Sequence, residues 1–254
     1  CRLERSRQWA VRCYHESTLH VNNCFVTLTY NDEHLPSDGS IHKDHFQRFM
    51  KRLRKSIEPR KVRYFACGEY GEKNRRPHYH ACLFGLDFPD KVQYTMSGEN
   101  ALHISERLSA LWPYGFSSIG AVTFDSAAYV ARYVMKKVNG DAAAEHYKGM
   151  DPETGEIFEL EPEFVLMSRR PGIGKGWYEK FNKEVVDHDS VVVNGREQLP
   201  PKYYDAQLSD RELEVVKANR KKLARTYAHN NTPERLHVRE QVAHFKQRRL
   251  NRVV

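Results

Sequence analysis

The sequence predicts an α+β fold with a helical C-terminal extension, and three observations carry the prediction. Strand-like and helix-like segments alternate through the first 185 residues. Two strand-like segments, "VRYFACGEYG" and "HYHACLFGL", are separated by the polar, turn-competent stretch "EKNRR" and Pro77, which describes an antiparallel β-hairpin. From about residue 205 the chain turns into two basic helical patterns. At 254 residues the chain can bury a sizeable core and suits one large domain plus an appendage.

The elements follow in order. Residues 2–16, "RLERSRQWAVRCYHE", place Leu3, Trp9, Ala10 and Cys13 among basic residues at near-helical spacing, an amphipathic helix. "NNCFVTLTYND" has turn formers at both ends and β-formers between, a strand. After the loop "LPSDGS", Phe46, Phe49, Met50, Leu53 and Ile57 recur at helical spacing, and Pro59 ends the run. The hairpin comes next, with Pro77 suited to the first position of its second strand. "SERLSALWPYG" is a helix closed by a proline and "FSSIGAVTF" a strand. "DSAAYVARYVMKK" is a helix with Asp125 and Ser126 as cap candidates and two lysines at its C-terminal end. Residues 139–163, rich in Gly, Asp, Glu and Pro, are expected to form a long surface excursion. "FVLMSRRPGIGKGWYEKF" returns through a strand and a glycine turn into a short helix. "SDRELEVVKANRKKLARTY" and "TPERLHVREQVAHFKQRRL" are helices with Ser or Thr cap signals. The expected division is a domain over residues 1–204 and a basic helical extension over 205–254.

A net charge of +8, from 41 Lys+Arg against 33 Asp+Glu, suits a polyanionic partner, with nucleic acid ahead of membrane. No run of 18 apolar residues occurs and no leader-like segment precedes a cleavage site, so a soluble, cytosolic protein is expected. The five cysteines are odd in number and lack paired spacing, which argues for buried thiols over a disulfide framework. Because the chain begins at Cys1 without Met, a metal knuckle shared by Cys1, Cys13 and upstream residues stays open.

The chemistry concentrates in two places. His78 and His80 alternate along a strand, so both imidazoles point to one side, although such a pair is often only hydrogen-bonded. If Lys73 and Asn74 form a two-residue turn, Glu69 falls opposite His78 on that same face, with Glu72 as its rival nearer the turn. Two imidazoles and a carboxylate suit Mg²⁺ or Mn²⁺ acting on a phosphate oxygen, and zinc fits the ligand types as well. Tyr129 and Tyr133, four residues apart, share one helix face, where they are either a core stripe or functional groups. Val130 and Val134 supply an apolar stripe of their own, and Lys136 and Lys137 follow where they could hold phosphate. Trp112, Tyr114 and Trp177 are either core or stacking partners for unpaired bases.

"FVTLTY" (25–30), "RPHYHACLFG" (76–85) and "YVARYVMKK" (129–137) resemble, in the same order, the three motifs of the HUH endonucleases that initiate rolling-circle replication. The two-tyrosine third motif is similar to the initiators of single-stranded DNA phages of the Microviridae, the gokushovirus initiators above all, where "SRRPGIGKGW" (168–177) also looks familiar. The resemblance covers residues 1–185. It implies an antiparallel sheet of about five strands flanked by helices, with His78, His80 and Glu69 as metal ligands and Mg²⁺ or Mn²⁺ as cofactor. It implies Tyr129 and Tyr133 as alternating nucleophiles beside Lys136 or Lys137, cutting single-stranded origin DNA in the host cytoplasm and leaving a 5′-phosphotyrosyl link. Host polymerase and helicase are the implied partners. The reading from a different class is a non-catalytic module that binds single-stranded nucleic acid; a plasmid initiator, relaxase or transposase is the neighbour within the enzyme class.

Overall fold

Alternation in "NCFVTLTY" decides how the layers stack. The structure, a computed structural model, describes residues 2–71, 75–98, 100–136, 140–150, 155 and 157–250. Helix α1 (Arg2–Ser17) leads into strand β1 (Asn23–Tyr30), along which Cys24, Val26, Leu28 and Tyr30 are fully buried while Phe25, Thr27 and Thr29 face the other way. Helix α2 (Lys43–Ser56) follows, and then the hairpin of β2 (Arg63–Tyr70) and β3 (Pro77–Phe84). A second hairpin, β4 (Val92–Ser97) and β5 (Asn100–Ile104), precedes the short α3 (Glu106–Leu111), strand β6 (Gly115–Gly120) and helix α4 (Phe124–Lys136). A small unit of α5 (Ala142–His146), β7 (Lys148–Met150) and β8 (Ile157–Glu159) then leads to β9 (Phe164–Met167).

Seven of these strands form one sheet in the order β4-β5-β6-β1-β3-β2-β9, and every pairing is antiparallel. The two strands beyond the expected five are the β4–β5 hairpin. Its residues are largely exposed, so it lacks the buried alternation that marks a strand in sequence. On one face α2 and α3 bury Phe46, Phe49, Leu53, Leu108 and Trp112 against Val26, Leu28, Tyr79 and Leu83. On the other, α1 and α4 pack Ala10, Cys13, Ala127, Val130 and Ala131 over Phe65, Cys67, Cys82 and Phe84. Small side chains on both helices allow that close approach. Together these layers make a helix–sheet–helix sandwich.

Several expectations are revised. Ser126 does take part in capping α4, but Thr123 stands at the cap: the Ser126 amide donates to Thr123 Oγ1 at 3.1 Å and the Thr123 amide to Ser126 Oγ at 2.8 Å. Residues 139–163 are no simple excursion, because Tyr147 and Leu160 from the α5–β8 unit are buried in the main core. Trp112 is a core residue whose indole donates to the Thr29 carbonyl at 3.1 Å, and Tyr114 packs partly buried against the same core. Trp177 stacks on the buried His15 at 3.5 Å between ring centroids, so neither tryptophan is presented to a nucleic acid. Cys13, Cys24, Cys67 and Cys82 are free and buried; Cys1 lies outside the described residues.

The chain continues through α6 (Lys175–His188), a two-stranded ribbon of β10 (Val191–Val193) and β11 (Arg196–Gln198), and α7 (Lys202–Asp205). These pack a third cluster, Tyr178, Val185, Val191, Val193 and Tyr204, against Val11 of α1. Helix α8 (Asp210–Thr226) starts with a capping box between Ser209 and Glu212. It is tied to the body by Arg220, which donates to both Asp189 and Asp205 at 2.6 to 2.9 Å, and by the buried Val216. Helix α9 (Pro233–Leu250) ends the described chain. No described helix is long and apolar enough to cross a membrane.

Candidate metal centre and tyrosine helix

The hairpin register brings three ligand types to one spot. Glu69 pairs directly with His78, and the pair next along the ladder on that face is Cys67 with His80. Residues opposed across antiparallel strands share a face, so Glu69, His78 and His80 all project towards the α1–α4 side. Glu69 Oε1 lies 2.9 Å from Nε2 of His78 and 3.0 Å from Nε2 of His80. All three ligand atoms fall within 4.8 Å of one another. The carboxylate is 2% exposed and His80 5%.

Partners behind the ligands set which nitrogen faces inwards. Nδ1 of His78 donates to the Arg76 carbonyl at 3.0 Å, and Nδ1 of His80 is hydrogen-bonded to Thr27 Oγ1 at 2.9 Å. With Nδ1–H spent on a carbonyl, neutral His78 turns a lone pair towards a carboxylate oxygen 2.9 Å away. Two acceptors hold that distance only with a proton or a cation between them. Neighbouring ligands of an octahedral ion with bonds of about 2.1 Å stand about 3.0 Å apart, which is the spacing found here. The donor set and its second layer therefore fit a divalent cation. Burial works against the charged form of Glu69, but the hydrogen bonds from His78 and His80 outweigh it and hold its carboxyl down at about 2.

Helix α4 delivers the phenol. Tyr129 Oη donates to Glu69 Oε1 at 3.4 Å, and its ring meets the His80 ring edge-on, 5.1 Å between centroids. Phe25 flanks both rings, and the Arg132 guanidinium lies 5.5 Å from the centre of the Tyr129 ring. Tyr129 is thus partly buried in the same cluster as Phe25 and Val130 rather than turned into the core. Tyr133, Val134 and Lys136 belong to α4, but their side chains lie outside the description; Lys137 and the turn residues Glu72, Lys73 and Asn74 lie outside the described residues altogether. Sequence reasoning missed Thr27 and Arg132. The signal for Thr27 was the period of two in "FVTLTY", which puts it on the face opposite Leu28, and that for Arg132 was its place three residues after Tyr129.

Comparison with known proteins agrees with this arrangement. Residues 23–138 match the family model for replication-associated protein ORF2. The chain is 34% identical over 245 residues to replication-associated protein ORF2 of Spiroplasma virus 4, covering 89% of this chain and 72% of that protein. This chain belongs to the replication-associated protein family. It is also 37% identical over 213 residues to replication-associated protein VP4 of Bdellovibrio phage phiMH2K, covering 80% of this chain and 63% of that protein. Replication-associated protein ORF4 of Chlamydia phage 1 is 26% identical over 238 residues, covering 88% of this chain and 57% of that protein. The chain thus spans less than two thirds of the length of the Bdellovibrio and Chlamydia phage relatives. No solved structure matches. The family-matched segment begins at β1 and ends just beyond α4, so it contains Thr27, Glu69, His78, His80 and Tyr129 and excludes α8 and α9.

Proposed function

We propose that this protein initiates rolling-circle replication of a small single-stranded DNA phage by nicking its origin through tyrosine attack, and later rejoins the strand. One observation carries the reading: a phenol on α4 reaches the same carboxylate oxygen that two imidazoles share. A phenol in a core stripe has no reason to meet a potential metal-ligand set.

Glu69, His78 and His80 would hold Mg²⁺ or Mn²⁺, which supplies Lewis-acid polarisation of a phosphate oxygen. Tyr129 is oriented by its hydrogen bond to Glu69, whose carboxyl at about 2 is an acceptor of that bond and too weak a base to keep the proton. Attack by Tyr129 Oη forms the O–P bond and breaks the bond from phosphorus to the 3′ oxygen. The phenol loses one proton and the departing oxygen gains one, so the products are a 5′-phosphotyrosyl link and a free 3′-hydroxyl. Since one phosphodiester replaces another, the step is reversible and supports rejoining. Arg132 beside the ring offers charge to the phosphate. Tyr133, one turn along α4, serves as the second nucleophile, with Lys136 or Lys137 beside it. In the same reading residues 1–204 form the nicking domain, 205–254 a second, basic contact to DNA, and a host polymerase and helicase extend and unwind from the nick in the bacterial cytoplasm.

Incubation with single-stranded phage DNA and Mn²⁺ tests this. A covalent protein–DNA adduct is expected that vanishes in Tyr129→Phe/Tyr133→Phe and in EDTA. An adduct persisting in the double variant rejects the nucleophile assignment, and unaltered binding with no product under any condition identifies a module that only binds.

A further inference from the structure

The triad face continues beyond the triad. Thr29 on β1 is paired with His78 on one side and with Phe116 of β6 on the other, so Glu69, His78, Thr29 and Phe116 form one row across four strands, all facing the same way. Phe116 is 72% exposed. It stands two strand spacings, about 10 Å, from His78. The face then runs on without cover. His103 of β5 pairs with Ile119, which points into the opposite core, so Leu102 and Ile104 point to the triad side. Ile104 pairs with Val92 of β4, and these two are 44% and 64% exposed. Helices α1 and α4 bury the β3–β2 part of this face, whereas its β6–β5–β4 part is left open to solvent.

A row of apolar side chains on one sheet face, continuous with a metal-ligand set, is a costly thing to leave in water. We propose that Phe116 is a stacking platform for an unpaired base of the DNA strand whose phosphate lies at Glu69, His78 and His80, with Ile104 and Val92 extending the path. The inference rests on the nicking reading for the position of the phosphate. It adds which base-contacting residues lie beside it, on the side away from β2. Single-stranded DNA is the occupant the chemistry favours: an aromatic face accepts any base, the net charge of +8 attracts the backbone, and about 10 Å is within reach of a nucleotide or two from the held phosphate.

The test separates base stacking from both backbone binding and cleavage. Affinity is measured in EDTA for a short oligothymidylate and for an abasic backbone of the same length, with wild type, Phe116→Ala and Phe116→Trp. The expected result is an oligothymidylate affinity about 5- to 150-fold weaker for Phe116→Ala, unchanged affinity for the abasic backbone, and restoration by Phe116→Trp. Thermal melting of Phe116→Ala should match wild type, because the ring is largely in solvent already. Equal affinities of wild type and Phe116→Ala for oligothymidylate overturn the proposal, as does an equal loss on both probes. A change of oligomeric mass in Phe116→Ala with unchanged DNA affinity also overturns it, by assigning the face to a protein contact. Adduct formation by wild type with Mn²⁺ is read separately, so failure to nick and failure to stack give different results.

Discussion

Replacing Glu69 by Gln should change both the stability of the metal-free protein and how that stability depends on pH. The carboxyl is held at about 2 against an ordinary value of 4.5, by hydrogen bonds from His78 and His80 that overcome its burial. A group whose folded value is depressed contributes stability that is complete above its unfolded value and is lost as pH falls through its folded value. From 4.5 to about 2 the contribution is roughly 3 kcal/mol at pH 7, and the same linkage leaves only about 1 kcal/mol at pH 3. Urea unfolding of wild type and Glu69→Gln in EDTA, at pH 7 and pH 3, measures both values. The gap between the two proteins should narrow by about 2 kcal/mol on acidification. Parallel stability curves across that range would show that the carboxylate is not held by the two rings, and the candidate metal centre would lose its basis.

Three other outcomes follow from the geometry. Thr27→Val removes the hydroxyl that orients His80, so Mn²⁺ affinity by calorimetric titration should fall by roughly 10- to 100-fold with little change in melting temperature; unchanged affinity would make Thr27 a bystander. Gly115 has φ +148°, and a Cβ there would lie 2.3 Å from the Asn31 amide nitrogen, so Gly115→Ala should cost at least about 1–3 kcal/mol in denaturant unfolding, by strain where β6 begins beside β1. Arg220→Ala removes the charged hydrogen bonds to Asp189 and Asp205, and limited proteolysis between α7 and α8 should quicken, with a stability loss of roughly 1–2 kcal/mol. A cleavage rate equal to wild type would show that α8 is held by Val216 and its neighbours alone.

Much of the metal centre was legible in the sequence because strand pairing is a local matter. A period of two places His78 and His80 on one side, and the short hairpin puts Glu69 opposite His78, as the register shows. Helical spacing likewise placed Phe46, Phe49, Met50 and Leu53 on one buried stripe of α2. The β4–β5 hairpin was missed for the complementary reason: an exposed edge carries no buried alternation, and Tyr94 and Met96 point into water. The α5–β8 unit was misjudged because its polar composition hid two residues, Tyr147 and Leu160, that reach the core from far along the chain.

What the sequence by itself determined is the facing of residues within each element: the imidazoles and carboxylate to one side of their hairpin, and Tyr129 on a helix with a core stripe of its own. Only the tertiary structure decided which of the two sheet faces α4 would cover, that Thr27 would come from β1 to hold His80, and that Phe116 would be left uncovered in the same row. The physical reason is that backbone periodicity sets direction over a few residues. The choice of face rests on Ala10, Cys13, Ala127 and Ala131 packing small side chains together across more than 110 positions of chain, and no local pattern records that contact.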